Sequence, residues 1–483
     1  MVYLKVKSFL VLSLILSSSS YAQVTIMSSQ RAYTSRDASV ETELLLRQYY
    51  VNSQVYMRNS WHLCSHIEDN KKQVELNDFC DSKLNLGYQD SNSIFDFSPL
   101  LEFSYRDDEQ LDANVQGLTY GGQIRGQSHY LSFWVDARIY AETHSRQKDL
   151  DRAQLSWDRE FVDIQDDDRE SASNNVSFVS FARYRANLNI DTDIGQFGFK
   201  RETIHWGPGV YSNLVFNHQA VPFNHIYYQA EIGPFRVWTL WGRLLRSSNG
   251  EYQTGTDTKS IYAHRYEWSA LPNLTLGMTE QMVLFNTEEP WAFVPIVPLF
   301  MEKGQGVERS NNGNLAFDIS YRIPNWSLLY TEFLIDDLQE PSTLFDNYWG
   351  NRWAWMAGLH LSPNLFKGAG LIAEYSRVEP WVYTHYDSLT SQASNGGDPL
   401  GNQFGPNSQS IILKPYYSTV LFRGSSHQNT LFFGLKSLWL WKGSNAGSEI
   451  NDGNDKRFAE VTAGEIEPYQ KEFLRGAELD FSF

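Results

Sequence analysis

The sequence predicts an all-β chain: a transmembrane antiparallel β-barrel of about 16–18 strands, with a small N-terminal helical or irregular plug segment. Three features predict it. The first residues have the form of an export leader. Most of the remainder alternates apolar and polar residues with a period of two. The final segment alternates in the same way and stops on Phe483.

Lys5 and Lys7 make a short positive head, and Phe9 to Leu16 is an apolar run too brief to span a bilayer. Ser20 and Ala22 put small residues at the two positions a signal peptidase reads. Residues 1–22 are therefore expected to be a signal peptide, cleaved after Ala22. Losing its two lysines takes the formal charge from −17 to −19. That balance argues against nucleic acid, whose binders carry basic patches. It does not argue against a membrane, because a barrel hides its polar residues inside.

No later segment approaches the ~18 apolar residues of a membrane helix. The nearest, Ala292 to Met301, is too short and carries Pro295 and Pro298. Yet 15 Trp, 27 Tyr and 29 Phe are many for so hydrophilic a chain. A barrel wears aromatics outside, in girdles at the two membrane interfaces.

Residues 23–92 lack the alternation of the later chain and are read as a periplasmic or plugging segment. Asp37 to Tyr50 is a plausible helix, with Asp37 or Ser39 as cap and Glu41 and Glu43 in the first turn. Cys64 and Cys80 suit an oxidising compartment. A disulfide between them would be worth about 3 kcal/mol in the chain-entropy model; the alternative is two free thiols. His62 and His66 beside Cys64 match no common zinc spacing, so no metal is expected.

Residues 93–483 are the expected barrel. Leu101, Phe103 and Tyr105 alternate with Glu102, Ser104 and Arg106. Leu131, Phe133, Val135, Ala137 and Ile139 alternate with Ser132, Trp134, Asp136, Arg138 and Tyr140. Tyr184, Ala186, Leu188 and Ile190 oppose Arg183, Arg185, Asn187 and Asn189. Leu329, Phe333 and Ile335 oppose Glu332 and Asp336; Trp353, Trp355 and Leu359 oppose Arg352 and His360; Leu371, Ala373 and Tyr375 oppose Glu374 and Ser376. Several runs reach the 9–11 residues a tilted membrane strand needs. At the end, Ala477, Leu479, Phe481 and Phe483 alternate with Gly476, Glu478, Asp480 and Ser482. This resembles the signal by which outer-membrane barrels are recognised for insertion, which makes Leu479, Phe481 and Phe483 contacts for the barrel-assembly machinery. Arg475 departs from the pattern. Four polar stretches are expected as extracellular loops: Glu142 to Asn175, Ser247 to Ser260, Thr384 to Ser410 and Gly443 to Glu465.

Chemistry is hard to find. Glu332, Asp336 and Asp337 cluster near a strand end and read as solvated lumen residues. No G-x-S-x-G motif supports a nucleophile. His205 and His218 are not at metal spacing for one helix turn. Gly207-Pro208-Gly209 lacks the lysine and spacing of a phosphate loop, and reads instead as a tight bend. No catalytic residue, cofactor or metal is expected.

The segment His205-Trp206-Gly207-Pro208-Gly209-Val210-Tyr211-Ser212-Asn213-Leu214, followed by Ala220-Val221-Pro222-Phe223, resembles the signature of the capsule-assembly Wzi family of outer-membrane proteins. Leu274 to Glu280 (with Gly277 and Glu280), Tyr330 to Asp337 (with Asp336), Glu374 to His385 and Pro399 to Asn407 resemble its later blocks, in order. The resemblance implies an occluded 18-stranded barrel with an N-terminal helical element. It also implies a lectin-like, non-enzymatic role that holds exported capsular or extracellular polysaccharide at the cell surface, alongside outer-membrane lipids. Sugar rings pack their C–H faces on Trp and Tyr, so Trp381, Tyr383, His385 and Tyr386, with Arg377, are the candidate polysaccharide-binding residues. Membership of an aromatic girdle is the alternative for the first four. For an acidic polymer, Arg183, Arg185, Arg352 and Arg377 could supply charge, unless they pair within the lumen. A monomer is expected. The competing function is an outer-membrane channel or porin for small solutes or saccharides.

Overall fold

The structure is a computed structural model. It describes residues 22–24, 86–89, 93–108, 113–128, 130–144, 169–172, 176–218, 220–245, 247–248, 251–252, 258–299, 311–337, 351–366, 368–385, 391–424, 427–443, 447–450 and 471–482. The proposed helix at Asp37 to Tyr50, Cys64, Cys80, Tyr386 and Phe483 lie outside these residues. The described residues hold no α-helix, so none that could cross a membrane.

One sheet contains 19 strands; setting aside the three short ones, Ala22–Val24, Leu86–Gln89 and Arg169–Ala172, leaves sixteen. Among the described residues sixteen stand, within the ~16–18 read from the spacing and below the 18 that the resemblance implies. They are β1 (Ser93–Asp108), β2 (Ala113–Ser128), β3 (Leu131–His144), β4 (Val176–Thr192), β5 (Gly195–Glu202) and β6 (Phe223–Ile232). Then come β7 (Phe235–Leu244), β8 (Lys259–Leu271), β9 (Leu274–Phe285), β10 (Asn312–Ile323) and β11 (Ser327–Asp337). The last five are β12 (Arg352–Leu361), β13 (Ala369–Val378), β14 (Ser408–Gly424), β15 (His427–Gly443) and β16 (Lys471–Ser482). Each pairs antiparallel with its neighbour in the chain, so the sheet is an uninterrupted meander. Leu86–Gln89, from the stretch read as a plug, also joins it by pairing with β1.

The connections alternate in length. Residues 129–130, 193–194, 233–234, 272–273, 324–326 and 425–426 make tight links at one end of the sheet. At the other end 20 or more residues separate β3 from β4, β5 from β6, β9 from β10, β13 from β14 and β15 from β16, while four separate β1 from β2. Short turns at one rim and long loops at the other are the habit of outer-membrane barrels.

The two faces are inverted relative to a soluble protein. On β10, Phe317 is 45% exposed while Asp318, next to it, is 2% exposed. Ile319 and Tyr321 follow Phe317 outward; Ser320 and Arg322 follow Asp318 inward. The same inversion holds on β4, where Tyr184, Leu188 and Ile190 are exposed and Arg185, Asn187 and Asn189 are buried, as their alternation predicts. Buried charges survive only when paired. Arg265 on β8 does this fully: Nε donates to Glu267 Oε1 at 2.9 Å, and Nη1 donates to Asp318 Oδ2 at 2.8 Å and Thr279 Oγ1 at 2.7 Å. Gly277 leaves the room, since a Cβ there would lie 2.3 Å from the Asp318 carboxylate. Arg138 pairs with Asp136 at 2.8 Å on β3 in the same way.

A charge on the apolar face should therefore be far more damaging than one on the polar face. Ile319→Arg is expected to cost about 2–4 kcal/mol of folding free energy in a bilayer, the range for a cation at mid-depth on a barrel's lipid face. Urea titration of protein folded into vesicles measures this. A loss no larger than that of the inward change Ser320→Arg would contradict the assignment of faces.

Candidate functional site

The buried face is not empty. Two long connections, 203–222 and 379–407, fold against it and against each other. The inward residues of β7 to β13 meet them with an apolar layer: Leu240, Ile261, Ala263, Val283, Ala316, Leu334, Met356 and Val378 pack on Leu214, Phe216, Val382, Tyr383 and Leu400.

A buried segment without regular structure must find partners for its backbone N–H groups. Three carboxylates supply them. Glu374 on β13 accepts from Val210 N and, at 3.0 Å, from Tyr211 N; the Tyr330 hydroxyl donates to it at 2.8 Å. Glu332 on β11 accepts from Leu214 N at 2.8 Å. Asp336, further along the same face of β11, accepts from Tyr383 N at 2.7 Å. Glu332 and Asp336 are thus fully buried anchors, not the solvated lumen residues their composition suggests.

The bend around Gly207 is built for close approach. Gly207 has φ +119°, outside the usual range of L-residues, and a Cβ on it would meet Asn213 Oδ1 at 2.8 Å. A Cβ on Gly209 would lie 2.4 Å from Met356 Cε. Asn213 Oδ1 accepts from Gly209 N, and Asn213 Nδ2 lies 3.0 Å from His205 Nε2. Trp206 meets Phe216 edge-on, with ring centroids 5.2 Å apart. The fold also brings His205 to His218, with ring centroids 5.3 Å apart, although thirteen positions separate them in sequence. Among the described residues, no group of three or more His, Cys, Asp or Glu is placed to hold a metal ion.

The second connection is cross-linked to the first. Tyr383 OH donates to Leu214 O at 2.7 Å and accepts from Asn402 N at 3.2 Å. Burial holds this phenol well above the usual tyrosine range, with Glu332 and Asp336 adding to the shift, so it stays a donor. A Cβ on Gly401 would strike Leu214 O. Lys259 on β8 donates to Ser394 O at 2.7 Å, and Asn395 Nδ2 donates to Val221 O at 2.9 Å.

These positions revise the sequence reading. Ser391, Gln392, Ser394, Asn395 and Asn402 are buried, so the described part of Thr384 to Ser410 turns inward and is no projecting loop. Part of Gly443 to Glu465 does the same: Gly447 O accepts from Trp381 N, and Asn407 Nδ2 donates to Ser448 Oγ. Tyr383 is 1% exposed and Trp381 is also buried, both with positive φ, so neither offers a ring face to a sugar. They wedge the interior instead. His385 is half-buried. Arg377 is partly exposed, pairs with Glu379 and lies over the Trp353 ring. Arg185 pairs with Glu202 at 3.3 Å, and Arg352 lies 3.7 Å from Asp337. The Arg183 side chain lies outside the described residues. Sequence reasoning missed Glu374, Asn213, Asn395 and Asn402 as anchors. Only Glu374 carried a signal, as a charge at an inward position of a membrane-length strand. Leu479 and Phe481 sit on β16 opposite Leu435 and Phe433.

No protein-family model matches the chain, and no curated protein matches it. Among solved structures, it is similar to Wzi of Escherichia coli, an outer-membrane protein involved in group 1 capsule assembly and a carbohydrate-binding β-barrel. The identity is 12%, covering 95% of this chain and 97% of that one, with TM-score 0.45. It is also similar to the outer-membrane protein OprD of Pseudomonas aeruginosa, at 10% identity over 80% of this chain and 92% of that one, with TM-score 0.30. A porin of Rhodopseudomonas blastica, in triple-mutant form, gives 9% identity, 72% and 94% coverage and TM-score 0.34.

Removing an anchor should release the insert and leave the sheet in place. Glu374→Ala strands two backbone N–H groups and the Tyr330 hydroxyl, at about 1–3 kcal/mol for each donor left unpaired. The expected result is a lower melting temperature, with new protease cleavage inside 203–222 and an unchanged strand signal in circular dichroism. Glu374→Gln, which keeps one acceptor oxygen, should fall between. Wild-type resistance to protease in Glu374→Ala would refute the anchoring role.

Proposed function

We propose that this chain closes into an outer-membrane β-barrel that binds and anchors exported capsular or extracellular polysaccharide at the cell surface, without catalysing a reaction. The inverted faces and the one-sided distribution of long connections support the membrane setting. The observation that carries the finer reading is the convergence in space of the blocks that resemble the Wzi family. Residues 205–214, 330–337, 374–385 and 399–407 lie far apart in the chain. They are joined by the Glu374, Glu332, Asp336 and Tyr383 hydrogen bonds into one inserted assembly. Such an assembly fills the space a general pore would need open. Its carboxyl groups each accept from backbone amides and so serve structure, which supports a non-enzymatic role.

Trp381 and Tyr383 then act indirectly, by setting where the 384–407 connection leaves the sheet. His385 and Arg377, both partly exposed near that departure, remain the candidates for contact with the polymer.

A second reading, a channel, draws on the charged pairs Asp136–Arg138 and Arg265–Asp318 along the inward face. The two readings separate in planar bilayers and in cells. The anchoring reading expects no pore-sized current steps from the purified protein. It also expects that deleting the gene leaves polymer synthesis intact and sheds polymer into the medium. Cell-bound polymer that stays at the wild-type level in the deletion strain would defeat it, and steady conductance would favour the channel.

A further inference from the structure

The segment Asn286 to Leu299, the described first part of the connection from β9 to β10, does not enter the interior. It folds back over the outer face of β7, β8 and β9. There it builds a second small core, with Ala292, Phe293 and Leu299 packed on Trp241, Tyr262, Met282 and Leu284. Strand parity fixes this side: Ile261, Ala263 and Arg265 face the interior, so Tyr262, His264 and Tyr266 face out.

Beneath the strap lies a polar cluster where the outer face should be apolar. His264 meets Glu280 Oε1 through Nδ1 at 3.1 Å and the Ala292 carbonyl through Nε2 at 2.9 Å. Tyr266 OH donates to Pro295 O at 2.6 Å, and Thr239 Oγ1 donates to Phe293 O. Glu288 pins the start of the strap, accepting from Ser260 Oγ at 2.7 Å and pairing with Arg243 at 2.7 Å.

Register shows where this cluster sits. One cross-strand row runs Thr239, His264, Glu280, Leu315, Ile335, Trp353. On β10, β11 and β12 that row presents aliphatic and aromatic side chains outward. On β7, β8 and β9 the same row is polar. His264 lies seven residues from the end of β8 at its short turn, ~23 Å along the strand at ~3.3 Å per residue and about 16–19 Å in depth at a tilt of ~35–45°, within the ~25 Å apolar band of a barrel. Uncovered, His264 Nε2, Tyr266 OH and Thr239 Oγ1 would face hydrocarbon without the strap's acceptors, at several kcal/mol per group. The strap answers both needs. Its carbonyls take the hydrogen bonds, and its other side is apolar: Trp291, Val294 and Ile296 are exposed, Ile296 by 86%, and residues 290–299 carry no charge. That surface continues the apolar outer face of β10.

We propose that residues 286–299 are a lipid-facing strap, in which a loop replaces the strand side chains as the contact with acyl chains of the leaflet nearer the long connections. The proposal rests on the membrane reading above. It is tested by placing the photo-crosslinker p-benzoylphenylalanine, one site at a time, at Trp291, Ile296 and Phe317 of the full chain in cells. Adducts are identified by mass spectrometry. Lipid adducts at Trp291 and Ile296, in yield comparable to Phe317, are expected. Lipid adducts at Phe317 with protein dimers or no adduct at the other two sites would overturn the strap. No lipid adduct at any site would overturn the membrane reading itself.

Discussion

Three buried carboxylates govern the interior of this protein. Glu332, Asp336 and Glu374 stand on the inward faces of β11 and β13 and accept backbone N–H groups from 203–222 and from Tyr383. Chain without secondary structure can be buried only where every donor is met. A carboxyl group suits the task because its two oxygens can accept from more than one donor, as Glu374 does from Val210 N and Tyr211 N. Everything else at the centre depends on these bonds: the bend at Gly207, the wedge of Tyr383 and the apolar layer on β7 to β13.

The sheet solves two solvation problems at once. Its outer face gives up polarity and its inner face gives up water. On the inner face, charges are settled in local groups such as Arg265 with Glu267 and Asp318. On the outer face His264 with Glu280 breaks the rule and is covered by chain rather than by a side chain. The same physical demand, a partner for every buried polar atom, thus shapes both sides of the sheet.

Much of the fold was legible because period-two alternation directly reports which face a residue takes. Arg185, Asn187 and Asn189 read as inward from parity alone, and they are. The inserted connections were not legible, for a definite reason. Ser391, Gln392, Ser394 and Asn395 have the composition of a solvated loop, and a polar side chain bonds to backbone as readily as to water. Aromatics mislead similarly: Trp381 and Tyr383 look like sugar platforms until their surroundings are known. Glu280 did carry a signal. It shares parity with Met278 and Met282, and a carboxylate on the apolar side of a membrane strand calls for a cover. The cover was visible too, as the apolar run beginning at Ala292, too short to span a bilayer.

The hydrogen bonds that hold the insert have a temporal meaning. Val210 reaches Glu374 across 164 positions and Leu214 reaches Glu332 across 118. Contacts between residues so distant in sequence form late, because the intervening chain must be organised first. The amides between β5 and β6 lack these acceptors until β11 and β13 have joined the sheet. The barrel proposed here would therefore stay unsealed at its centre until β11 and β13 are in place.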